Sequence, residues 1–109
     1  VPGADTLKLA KDAIRLQVEK EIFGLCPSVA RAMRACGQPI EIEVFVAVDS
    51  TGAVRFAKDL NGHLLLRQAA ASTAKSWKFR PLLVDGKPKN FVGVIVVRFP
   101  ADSSGIDYD

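Results

Sequence analysis

The sequence predicts an α+β domain in which a three-stranded antiparallel sheet carries one long helix on a face, preceded by N-terminal helices. Three observations predict it. Residues 40–48 set Ile40, Ile42, Val44, Val46 and Val48 in alternation with Glu41, Glu43, Phe45 and Ala47, the period of two that marks a strand. Within residues 62–81, Leu66, Ala70, Ala74 and Trp77 fall on one helical face, with Arg67, Lys75 and Lys78 off that line. Residues 91–99 form a last run rich in valine and isoleucine, closed by Pro100.

Taken in order, residues 5–23 read as a helix. Asp5 is a good N-cap, Leu7, Ala10, Ile14, Val18 and Ile22 repeat at three or four, and Gly24 stops the run. Residues 27–35 suit two turns of a second helix, with Pro27 at its first position and Gly37 after its end. If that helix is unbroken, Cys26 and Cys36 lie at its two ends, about 15 Å apart at the helical rise. An intramolecular bridge needs α-carbons within about 7 Å, so it requires the element to bend or end early. Two cysteines alone leave a bridge, two buried thiols and a redox couple all open.

After the strand at 40–48, Asp49-Ser50-Thr51-Gly52 carries turn chemistry and residues 53–59 return as the second arm of a hairpin. Asn61-Gly62 turns into the long helix. Pro81 cannot continue that helix and pushes Arg80 toward extended geometry, so residues 78–80 leave as a strand-like exit. Residues 84–88 read as a loop with an Asp85-Gly86 turn before the final strand, which Gly93 interrupts. The resulting organisation is a helical extension at 1–24, the folded unit at 25–100 and a flexible acidic tail at 101–109. A three-stranded sheet leaves edges open, and open edges are either protected or used.

At 109 residues the chain is the size of one domain, and 49% hydrophobic against 25% charged residues argues for a folded core. A net charge of +3 falls short of a nucleic-acid footprint, even with Arg67, Lys75, Lys78, Arg80, Lys87 and Lys89 near one helix end. No run of residues is long and apolar enough to span a membrane.

No catalytic constellation emerges, so the chain reads as a non-enzyme without a cofactor or metal. His63 is the single histidine, which excludes a His-rich metal site. Glu41 and Glu43 share one strand face, which paired carboxylates need for acid–base work, but opposite three apolar residues they read as the solvated side. Asp85-Gly86-Lys87 lacks the rest of a phosphate loop. Cys26, just before a helix start, has the placement of a reactive thiol, and against that stands the simpler reading of a buried or bridged one. Trp77 and Phe79 could stack on a base, but Trp77 continues the apolar stripe and reads as core. The last strand is apolar on both faces, which calls for a second covering layer or a partner.

Four segments in order, Pro27-Ser28-Val29-Ala30-Arg31-Ala32, the strand and turn from Ile42 to Val54, Asn61-Gly62-His63-Leu64-Leu65-Leu66-Arg67-Gln68-Ala69-Ala70 and Trp77-Lys78-Phe79-Arg80-Pro81, resemble the C-terminal domain of TonB-type energy transducers. The resemblance spans roughly residues 26–99. It implies a periplasmic interaction domain tethered to the inner membrane through an N-terminal span and a proline-rich linker. Such a domain captures an extended peptide, the TonB box of an outer-membrane transporter, on its last strand, and transmits force from inner-membrane motor proteins. Carried onto this chain, the peptide-binding residues are Phe91, Val92, Gly93, Val94, Ile95, Val96, Val97 and Arg98, with Leu25 and Cys26 near the captured peptide. Cys26 replaces an aromatic usual in the family, Leu64 replaces a common proline, and the helix at 5–23 is additional. That helix has three readings: a cover over the binding edge, an extension of the linker, or a dimer contact, the last giving an alternative in which an assembly module homodimerises through it and the strand edge.

Overall fold

The computed structural model describes residues 6–28, 30, 37–62 and 64–100. In chain order the elements are β1 (Thr6–Lys8), α1 (Lys11–Leu16), β2 (Val18–Lys20), β3 (Ile40–Val48), β4 (Val54–Asp59), α2 (Leu64–Lys75), β5 (Lys78–Phe79), β6 (Leu82–Val84) and β7 (Lys87–Phe99). Most of the expected helix at 27–35, His63, Cys36 and the expected tail at 101–109 lie outside the described residues.

The three-stranded antiparallel sheet is corrected to a five-stranded mixed one. Its order is β1, β7, β3, β4, and β6 pairs with the start of β7. A separate two-stranded sheet joins β2 to β5. β7 and β3 pair antiparallel without a break from Ile40↔Phe99 to Val48↔Phe91. β1 runs parallel to β7, which makes the sheet mixed.

The expected helix at 5–23 is the largest correction. Thr6-Leu7-Lys8-Leu9 also alternates polar and apolar, and β7 offers that stretch hydrogen bonds that an isolated helix end cannot match. Leu9 N–H donates to Val92 O at 2.9 Å. The helical spacing survives in one six-residue stretch, α1, where Ile14 is buried. Beyond it, the β-branched Val18 pairs opposite Phe79, Arg80 N–H donates to Gln17 O at 2.6 Å, and the Trp77 indole N–H donates to Ile22 O at 3.0 Å. The continuous helix that the homodimer alternative invoked together with the strand edge is therefore absent.

The expected loop at 84–88 is a hairpin instead. Val84 pairs with Lys87 across a turn in which Asp85 and Gly86 both take positive φ, 55° and 80°. That two-residue turn matches strand twist, which extends β7 to thirteen residues. Pro88 fits this strand because it faces Leu83 in a pair whose backbone groups point away from β6, so no ladder bond is lost.

One face of the sheet holds the core. Ile42, Val44, Val46 and Val48 of β3 and Phe91, Ile95, Val97 and Phe99 of β7 are buried there beneath Leu66, Ala70 and Ala74 of α2. Trp77, just past the end of α2, joins Phe79 and Phe91 in a chain of ring contacts with centroids 6.2 and 5.7 Å apart.

The β3–β4 turn is organised by Asp49. Its Oδ1 accepts from Thr51 Oγ1 at 2.5 Å, Thr51 N at 2.9 Å and Ala53 N at 3.1 Å, and its Oδ2 accepts from Arg55 Nε at 2.5 Å. The Thr51 hydroxyl bond, with the Arg55 and backbone donors, outweighs desolvation and holds the carboxyl well below the usual carboxylate range. Gly52 completes the turn at φ +90, where an added Cβ would lie 1.9 Å from Phe79 O.

Two outcomes follow from this turn. Gly52→Ala combines positive-φ strain with a backbone clash and should destabilise the domain by roughly 3 kcal/mol, read from the urea midpoint at unchanged slope. Asp49→Asn weakens the turn by about 1 kcal/mol at neutral pH. Because the folded-state pKa of Asp49 is depressed, its contribution is present above the unfolded value near 4 and is lost as pH falls through the folded value. The difference in melting temperature between wild type and Asp49→Asn should therefore be widest near pH 7 and narrow steadily in acid.

Candidate functional site: the outer edge of β7

Backbone direction along β7 divides its residues into two sets. In an extended strand the N–H and C=O of one residue point to the same side, and successive residues alternate. Val92 O accepts from Leu9 N and Arg98 O accepts from Gly24 N at 2.8 Å, both on the side away from β3. Val94 and Val96 share their parity, so their N–H and C=O groups also point outward. Glu43 O, paired opposite Val96, is turned away toward β4, where it accepts from Leu60 N at 2.9 Å.

The outer edge is thus occupied at both ends and open in the middle. β1 covers residues 90–92, Gly24 closes the edge at Arg98, and among the described residues no backbone partner meets Val94 or Val96. Beside that gap lies a cleft of about 390 Å³, lined by Lys11, Asp12, Ile14 and Arg15 from α1 and by Val94, Ile95, Val96 and Arg98 from β7.

The structure sorts the sequence-derived site residues accordingly. Phe91, Gly93, Ile95 and Val97 point into the core, whereas Val92, Val94 and Val96 are half-buried on the opposite face and Arg98 is exposed there. Phe91 and Val92 already pair with β1. Leu25, 85% exposed, and Cys26 directly follow Gly24, so they stand at the Arg98 end of the same edge. Cys26 is disulfide-bonded, and the one other cysteine of the sequence is Cys36. A reactive Cys26 thiol is therefore set aside.

The sequence allowed the N-terminal segment as a cover for this strand but did not single out Leu9, Lys11, Asp12, Ile14 and Arg15 as its neighbours. Gly93 carried the usable signal. An added Cβ there would meet Ile14 Cδ1 at 2.8 Å and Leu9 O at 3.0 Å, so the missing side chain is where the N-terminal segment crosses β7.

Charges at the gap are present but paired. Lys11 forms an ion pair with Glu43, Arg98 Nε lies 3.5 Å from Glu41 Oε2, and Arg15 bonds Glu21 at 2.7 Å. Glu41 and Glu43, weighed above as an acid–base pair, are engaged by these cations and by the Asn61 amide, which donates to Glu43 Oε1 at 3.2 Å. Among the described residues no group of three His, Cys, Asp or Glu side chains is placed to hold a metal ion, and no helix is long and apolar enough to cross a membrane.

Comparison of the chain with protein-family models, with curated proteins and with solved structures finds no match.

Proposed function

We propose that this chain is a non-enzymatic, periplasmic peptide-capturing domain of the TonB energy-transducer kind. It takes up an extended peptide, the TonB box of an outer-membrane transporter, by β-strand addition to β7. It is anchored to the inner membrane, and linked to motor proteins there, through a region N-terminal to the chain. The observation that carries this reading is the gap at Val94 and Val96, where, among the described residues, four outward backbone groups without a backbone partner stand beside an open cleft. An added strand would meet those groups with its own N–H and C=O, while Val92, Val94, Val96 and Arg98 would meet its alternate side chains. The sequence resemblance supplies the class of partner, and the placement of Leu25 at the Arg98 end of the edge agrees with it.

The test is a titration of the isotope-labelled chain with peptides spanning the TonB boxes of outer-membrane transporters, read by amide shifts. The largest shifts should fall on Val94 and Val96. Val96→Pro removes one outward N–H without touching the β3 ladder and should weaken binding roughly five-fold. Shifts confined to α1 and α2, or a Val96→Pro variant that binds like wild type, would count against strand addition.

A further inference from the structure

Resting on the peptide-capture reading, we infer that β1 is an intramolecular occupant of the same edge, and that capture proceeds by exchange of β1 for the incoming strand. Three observations carry it. β1 already makes the interaction proposed for the peptide, since Thr6–Lys8 adds to the outer side of β7 opposite residues 90–92. It ends where the gap begins, because Leu9 N–H takes Val92 O and the next outward residue, Val94, has no backbone partner among the described residues.

The third observation is the uneven hold on the N-terminal segment. Its later half is anchored by Ile14, buried against Gly93, by the β2–β5 pairing, by Gln17 O on Arg80 N–H and by Ile22 O on the Trp77 indole. The three residues of β1 are half-buried or exposed, and Leu7 keeps 39% of its surface in solvent. Three residues of parallel pairing are marginal by themselves. β1 can therefore peel from the edge while Ile14 and β2 keep the segment attached. Peeling joins the outward groups of Asn90 and Val92 to those of Val94 and Val96, and lengthens the docking edge from two outward-facing residues to four.

Exchange makes a linkage prediction. A site blocked for part of the time binds with an apparent affinity reduced by the open fraction, so loosening β1 must tighten peptide binding and strengthening it must weaken binding. Leu9→Pro in the full chain deletes the bond to Val92 O and leaves Ile14 in place. It should bind TonB-box peptides roughly five-fold more tightly, the equivalent of about one hydrogen bond. Lys8→Val raises the strand propensity of β1 on the face it shares with Val92 and should weaken binding by roughly three-fold.

Hydrogen exchange reads the same equilibrium without peptide. In the wild type the Val92 amide, which faces β1, should exchange more slowly than those of Val94 and Val96, and Leu9→Pro should erase the difference while Val44 and Val46 stay protected. Peptide that shifts β7 with one affinity in all three proteins, or a Val92 amide no slower than Val94 in the wild type, overturns the exchange and leaves capture standing. Peptide that leaves β7 undisturbed in every variant overturns capture itself, and the exchange with it.

Discussion

Every residue of a strand except proline brings one N–H and one C=O that must find partners, and β7 brings thirteen residues to that requirement. Its inner side is met in two collinear pieces, β6 for the first residues and β3 for residues 91–99. The outer side is met piecemeal: Pro88 presents no N–H, β1 covers residues 90–92, and Gly24 takes Arg98 O. Each device is a recognised way of blunting an edge. The rest of the fold follows from this arrangement, because the N-terminal segment must begin at one end of the edge and return at the other. Between those points it leaves the sheet, forms α1, pairs β2 with β5 and places Ile22 O against the Trp77 indole.

Magnitudes limit what the gap can do. Its four outward groups stand beside a cleft that water can fill, so leaving them unpaired costs the free chain little. Pairing them with an incoming strand exchanges water for protein at about 1 kcal/mol net per bond, or about 4 kcal/mol in total, which does no more than offset the roughly 4 kcal/mol or more that association itself costs. Tighter capture must draw on side chains meeting Val94, Val96 and Arg98, or on a longer edge. With so weak a backbone contribution, the bonding state of two or three neighbouring residues would matter for the affinity of any added strand.

The central part of the fold was legible because each signal there agrees with its neighbours. β3 has strict alternation and a turn sequence after it, and the stripe of Leu66, Ala70, Ala74 and Trp77 continues to a proline stop. The N-terminal segment was misread because two periods coexist in it. Leu7, Ala10 and Ile14 fit a helix, Thr6-Leu7-Lys8-Leu9 fits a strand, and the decision belongs to β7, far along the chain, whose edge needs a partner. Local pattern cannot weigh that demand. The β6–β7 hairpin was missed for a smaller reason: Lys87-Pro88-Lys89 lacks apolar alternation, and only the positive-φ turn at Asp85-Gly86 marks it. As for the candidate site, the sequence singled out β7 but not the side of it left open, because backbone direction along β7 depends on which neighbour each residue bonds.

Ion pairs around the gap bear on which peptides it would prefer. Lys11 with Glu43 and Arg98 with Glu41 bracket Val96 on the outer face of the sheet, and the cations of both pairs are more than half exposed. Pairs of this kind contribute only about 0–1 kcal/mol and weaken with salt, so either cation can turn from its glutamate to an incoming carboxylate at small cost. An incoming lysine or arginine has no comparable exchange with the cations, since Glu41 and Glu43 lie one strand further from the edge, on β3. The arrangement therefore favours an extended segment with small apolar side chains facing Val94 and Val96 and an acidic residue beside Lys11 or Arg98. Such selectivity is electrostatic and graded, in keeping with an edge whose backbone contribution is itself weak.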